Sequence, residues 1–140
     1  MKQLFLDANV VFTAAHNPSG KAALVIELAA AGYWRVMTSQ LAVTEARRNL
    51  ERKYPAALLS FEQWLKKLTI ITGGNGDSCP IDLPPKDRPI FEAALIGQAT
   101  HLLTGDIRHF GRFMAMPELT CGICVQTVAD FLNDQFSGGH

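Results

Sequence analysis

The chain is poor in cysteine. It carries three among 140 residues, an odd number that supplies no disulfide framework. It has no excess of either charge, because 13 Lys and Arg stand against 13 Asp and Glu. Net charge therefore argues neither for nor against a nucleic-acid partner; only the distribution of charge can. It also lacks a long apolar run. The most apolar helical stretch, Ala22 to Ala31, contains Glu27 and is too short to span a bilayer. The apolar residues after Lys2 make a poor signal sequence, since Asp7, Asn9 and His16 interrupt them. No internal repeat, linker or low-complexity segment is present. These absences exclude a disulfide scaffold and a membrane protein, and the expected location is a reducing cytoplasm.

What is present suits a folded domain. Hydrophobic residues make up 48% of the chain, enough for a core and against disorder. The length fits one domain, 1–140. Gln3 to Leu6 reads as a strand buried on both faces. Ser19-Gly20 opens a helix over Lys21 to Ala31, with Gly32 as its stop. Trp34 to Thr38 is a second strand, and Ser39 caps a helix from Gln40 to about Arg52. Pro55 starts a helix to about Lys67. Leu68 to Thr72 is a third strand. A long loop, Gly73 to Lys86, holds three glycines and three prolines, and a loop of that length is expected to be mobile or functional. A helix from Arg88 to about Thr100 leads to a fourth strand, His101 to Thr104. A short helical turn covers Ile107 to Met114. Leu119 to Val125 reads as a fifth strand, and Thr127 caps a helix to about Phe136. Ser137 to His140 are expected to fray. Strands alternating with helices predict a three-layer α/β/α sandwich around a short central parallel sheet.

Four acids then stand out. Asp7 ends the first strand inside a greasy run, where it loses hydration and stays charged only with compensation. By itself it could equally be a strand-end cap. Asp106 follows the fourth strand after one glycine, and Glu45 lies on the second turn of the helix after the second strand. Open α/β sheets bind ligands beyond the carboxyl ends of their strands, which is where these residues fall. Asp87 begins a helix that leads into a strand, so pattern alone does not carry it to the same edge. If all four converge, two charges about 4 Å apart repel by about 4 kcal/mol at an effective dielectric near 20. Several such pairs exceed the stability of a small domain. Either some carboxyls hold protons or a cation sits among them. Oxygen ligands favour Mg²⁺ or Mn²⁺ over zinc, and such an ion suits phosphate chemistry.

The stretches Leu-Asp-Ala-Asn (6–9), Thr-Glu-Ala (44–46), Lys-Asp-Arg-Pro (86–89) and Leu-Thr-Gly-Asp-Ile-Arg-His-Phe (103–110) resemble a PIN domain, and most closely the bacterial proteins grouped with VapC-type toxins. The resemblance extends from the first strand to the closing Thr-Val-Ala-Asp-Phe-Leu helix. It implies a PIN-like fold and a metal-dependent endoribonuclease, the toxin of a toxin–antitoxin pair. Asp7, Glu45, Asp87 and Asp106 then serve as catalytic and metal-binding acids, with Asn9 and Thr104 in support. It implies an antitoxin partner, a homodimer, and an Asp87 that does reach the edge. The Gly- and Pro-rich loop before Asp87 is roomier than in compact toxins, which leaves open how that acid is held.

Other readings compete. Arg47, Arg48, Arg52 and Lys53 are either a solvated helix face, with Glu51 and Arg47 paired at i, i+4, or a track for the RNA backbone that Arg108, His109 and Arg112 extend. His109 is either a surface histidine or a metal or phosphate contact. Cys121-Gly-Ile-Cys124 with a lone Cys79 is a weak metal or redox signal, and on a strand residues 121 and 124 would face opposite ways. A phosphoryl-accepting aspartate of the haloacid-dehalogenase type needs an acid two residues after Asp7, where Asn9 stands. A non-catalytic RNA- or protein-binding module is the alternative to a nuclease.

Overall fold

A computed structural model of the chain describes residues 1–136. Five strands form one parallel sheet: β1 Gln3–Leu6, β2 Arg35–Ser39, β3 Thr69–Ile71, β4 His101–Leu103 and β5 Cys124–Gln126. Their spatial order is β3-β2-β1-β4-β5. The chain winds outward from β1 to one edge, returns, and continues to the other. The sheet therefore changes direction beside β1, between β2 and β4.

The helices cover both faces, as the alternating pattern requires. α1 Ala8–His16, α2 Lys21–Ala30, α3 Gln40–Lys53, α4 Leu58–Leu65, α5 Arg88–Ile96, α6 Ile107–Phe110 and α7 Val128–Phe136 connect or follow the strands. Successive strand residues point to opposite faces, and the two cores follow that period. Leu4, Leu6, Val36 and Leu103 join a core with Val11, Ile26, Leu50, Phe61 and Phe131. Phe5, Met37, Leu102 and Val125 join a second with Phe91, Phe110 and Leu83. A strand buried on both faces reads as an unbroken apolar run, which is what Leu4-Phe5-Leu6 is. The three-layer expectation is borne out.

Several boundaries differ. α1 was not marked out in the sequence, because Asp7 to His16 follows β1 with no intervening loop; Asp7 caps it and its side chain accepts the Ala8 N–H. The helix after Pro55 begins as a 3₁₀ turn, Pro55–Ala57, before α4. The helix from Arg88 stops at Ile96 instead of Thr100. β5 starts only at Cys124; Pro117–Leu119 is a 3₁₀ turn, and Cys121 sits exposed at φ +56°. Cys121 and Cys124 therefore do not share a strand and do not alternate across the sheet. Arg47 pairs with Glu62 on α4, 3.0 Å away, and not with Glu51. Gly32 does stop α2, at φ +97°, where Tyr33 N–H reaches back to the Leu28 carbonyl. The fraying expected of Ser137 to His140 lies outside the described residues. Among the described residues no helix is long and apolar enough to cross a membrane.

Phe5 lies on the central strand with no exposed surface. Phe5→Ala should lower unfolding free energy by about 3–5 kcal/mol in urea titrations, with unchanged denaturant slope. A loss below about 1 kcal/mol would show that the sheet does not depend on this layer.

Candidate functional site

The register of the sheet builds the site. Leu6 lies beside Leu103 in the β1–β4 pair, so the next residues, Asp7 and Thr104, emerge side by side. The pairing runs one step past each strand: Asp7 N–H donates to the Leu103 carbonyl, and Thr104 N–H to that of Gln126. Thr104 Oγ1 then donates to Asp7 Oδ2 at 2.8 Å and accepts the Asp106 N–H at 2.9 Å. Asn9 Nδ2 donates to Asp7 Oδ2 at 3.3 Å, and Asn9 Oδ1 accepts the Gly105 N–H at 2.8 Å. A Cβ on residue 105 would come within 3.3 Å of Asn9 Oδ1, so glycine permits the approach. Asp106 in turn caps α6, with Oδ1 accepting the His109 N–H at 3.1 Å.

Asp87 reaches the same edge, the step the pattern alone did not supply. The loop before it is pinned, not loose. Leu83 is buried in the second core, Ser78 N–H donates to Glu92 at 2.8 Å, and Arg88 Nε to the Leu83 carbonyl at 2.9 Å. Asp87 N–H closes a turn onto the Pro84 carbonyl. Its side chain does not cap α5, so the carboxylate is free to point across to α6. There His109 Nδ1 lies 2.7 Å from Asp87 Oδ2 and 2.9 Å from Asp106 Oδ2.

All four sequence-selected acids line one pocket of about 660 Å³, together with Asn9 and Thr104. They are not equally close. The donor atoms of Asp87, Asp106 and His109 lie within 4.8 Å of one another, while Asp7 and Glu45 stand outside that trio, Asp7 deep and Glu45 exposed. Arg47 and Arg48 do not line the pocket. Arg108 and His109 line a smaller adjoining hollow with Lys86. Lys21 and Lys86 line the main pocket and were missed in the sequence, because a single Lys at a helix start or loop end carries no spacing signal. His109 was one candidate among several; its i, i+3 spacing from Asp106 was the available cue. Cys79, Cys121 and Cys124 belong to no metal-capable trio among the described residues, and burial, with Asp134 adding, pushes the Cys124 thiol up.

The electrostatics reflect the crowding. Burial raises the Asp7 carboxyl to about 6; the Thr104 hydroxyl and Ala8 N–H oppose this, while Asp87 and Glu45 add to it. Burial also raises Asp87, against the pull of His109 and with Asp106 adding. The edge thus concentrates negative charge where hydration is poor, the condition under which a cation is held.

A family model described as a PIN domain matches residues 3–108. The chain belongs to the PIN domain family. No curated protein matches it in sequence. Among solved structures, its fold is similar to a chain of VapBC2 from Rickettsia felis, described bound to a DNA fragment from their promoter, with a TM-score of 0.65 at 16% identity over 89% of this chain and 98% of that one. It is also similar to a chain of VapBC-1 from nontypeable Haemophilus influenzae, with a TM-score of 0.58 at 14% identity over 91% and 98%.

The raised Asp7 pKa sets a pH dependence. Between about pH 4 and 6 the native carboxyl keeps a proton that the unfolded chain has released, so stability falls as pH rises across that window. In chelator the loss due to Asp7 should be about 3 kcal/mol, and Asp7→Asn should remove it. Urea titrations across the window check this; an equal slope in both proteins would refute it.

Proposed function

We propose that the chain is a metal-dependent endoribonuclease, one PIN unit acting in the cytoplasm as the toxin of a toxin–antitoxin pair. The observation that carries the nuclease reading is the convergence of Asp7, Glu45, Asp87 and Asp106 on one pocket. The residues fit a divalent cation: the donors are mainly carboxylates, and Asp87 Oδ2 is buried without a hydrogen-bond partner. Asp87 and Asp106 would hold the ion with Asp7 behind them, and Glu45 would hold a second ion or orient water. Such an ion, when bound, supplies activation of water and charge stabilisation on phosphoryl oxygens; Mg²⁺ and Mn²⁺ are the expected ions.

The chain's own residues supply the rest. Thr104 and Asn9 fix the Asp7 carboxylate through hydrogen bonds and stop it rotating away. Asp7, held by these bonds, would complete the acidic edge that faces the ion and the attacking water. Lys21, Lys86 and Arg108 flank the acids and would draw in the RNA backbone, keeping it from being repelled by the carboxylates. Arg47 is engaged by Glu62, which leaves it less suited to that role than the residues at the rim. Similarity to chains of VapBC structures supports an antitoxin partner; a homodimer is part of the same proposal.

Purified protein should cleave single-stranded RNA in Mg²⁺ or Mn²⁺ and lose activity in EDTA. Asp106→Asn should reduce the rate at least about a hundredfold with the fold retained by circular dichroism. Lys21→Gln should raise KM and reduce the salt dependence of RNA binding by about 0.7 in log–log slope. Undiminished cleavage by Asp106→Asn would rule out the assignment. Binding of RNA with no cleavage in any divalent ion would favour a non-catalytic module.

A further inference from the structure

We infer that His109 is a nitrogen ligand of the cation held at this edge, and that the site selects first-row transition ions such as Mn²⁺ over Mg²⁺. The inference rests on the proposal that these carboxylates hold a divalent ion, and it adds a residue that an all-oxygen site would not contain.

The geometry carries it. His109 Nδ1 lies 2.7 Å from Asp87 Oδ2 and 2.9 Å from Asp106 Oδ2. At these separations hydrogen bonds would be expected, yet neither Nδ1 nor Asp87 Oδ2 has a hydrogen-bond partner, and both atoms are buried. The Asp87 side chain is only 8% exposed. An unsatisfied buried polar group costs about 1–3 kcal/mol. Two such atoms facing each other at 2.7 Å suit a third body that both can bind. Donors around an octahedral ion, with bonds of about 2.1 Å, sit about 3 Å from their neighbours. The observed separations fit adjacent positions on such an ion.

The remaining bonds agree. Asp106 Oδ1 is used by the His109 N–H, which leaves Oδ2 available. Asp87 has no capping duty. The cap that occupies Asp106 Oδ1 also fixes the His109 backbone, so one short helix, α6, presents a carboxylate and an imidazole at i, i+3. Asp87, held by its pinned loop, completes the trio from the other side. An imidazole donor raises affinity for transition ions and contributes little to Mg²⁺, which prefers oxygen and retains its water.

The competing reading gives the same distances: a protonated His109 bridging two carboxylates as an ion pair. The two differ in what removal does. A ligand lost weakens metal binding; a resident cation lost strengthens it.

The test uses the full chain stripped of metal with EDTA. Mn²⁺ binding is titrated by electron paramagnetic resonance, Mg²⁺ by competition, and bound Mn²⁺ is examined for ¹⁴N coupling by electron spin-echo modulation. Wild type should show ¹⁴N coupling and prefer Mn²⁺. His109→Ala should lose the coupling and weaken Mn²⁺ about ten- to a hundredfold, with Mg²⁺ binding little changed. Mn²⁺ bound without ¹⁴N coupling, or bound as tightly or more tightly by His109→Ala, overturns the inference and leaves the carboxylate site standing. No Mn²⁺ binding by wild type overturns both. The wild-type spectrum decides the ligand question even if the variant folds poorly.

Discussion

Asp7 is nearly stripped of water at the end of the central strand, and much of the surrounding architecture is what makes a buried acid tolerable there. Three donors compensate it, the Ala8 N–H, the Asn9 amide and the Thr104 hydroxyl. The Ala8 bond is local to the helix cap, and the Thr104 bond exists because β1 and β4 are paired in one register. A slip of one residue would turn Asp7 to the opposite face and break the Thr104 contact. The register is held in turn by the two apolar cores on either side of the sheet, so packing far from the pocket determines where this carboxylate sits.

That constraint propagates outward. Thr104 binds Asp7 with its hydroxyl and receives the Asp106 N–H on the same oxygen, so the first and fourth acids are mechanically coupled. Asp106 caps α6, and α6 brings His109 across to Asp87. Asp87 itself is set by Leu83, Arg88 and Glu92 through the loop before it. That loop, which the Gly and Pro content marks as a mobile or functional element, works as a brace. Leu83 is part of the core, Cys79 and Ile81 pack against it, and polar contacts tie the loop to Glu92 and Arg88.

The alternation of strands and helices, both cores and three of the four acids were legible in the residues. Leu4-Phe5-Leu6 announces a strand buried on two faces, and Asp7, Glu45 and Asp106 fall at strand ends or early helix turns. What was not legible has physical causes. α1 was hidden because a buried helix beginning directly at a strand's end has no turn residues to announce it. β5 was read too long because Thr120 and Ile123 are β-branched and suit a strand but are used in a turn. Arg47 was paired with Glu51 from helical spacing, yet α4 packs close enough to offer Glu62.

By itself the sequence determined the layers, the strand ends and the acidic character of one edge, because these follow from periodicities of two and 3.6 residues and from local capping. Only the tertiary structure decided which acids are neighbours. It put Asp87, 80 residues after Asp7, into the same pocket, separated the close trio of Asp87, Asp106 and His109 from Asp7 and Glu45, and brought Lys21 and Lys86 to the rim. Distances between side chains far apart in the chain depend on how helices and a braced loop pack on the sheet, and no local pattern records them.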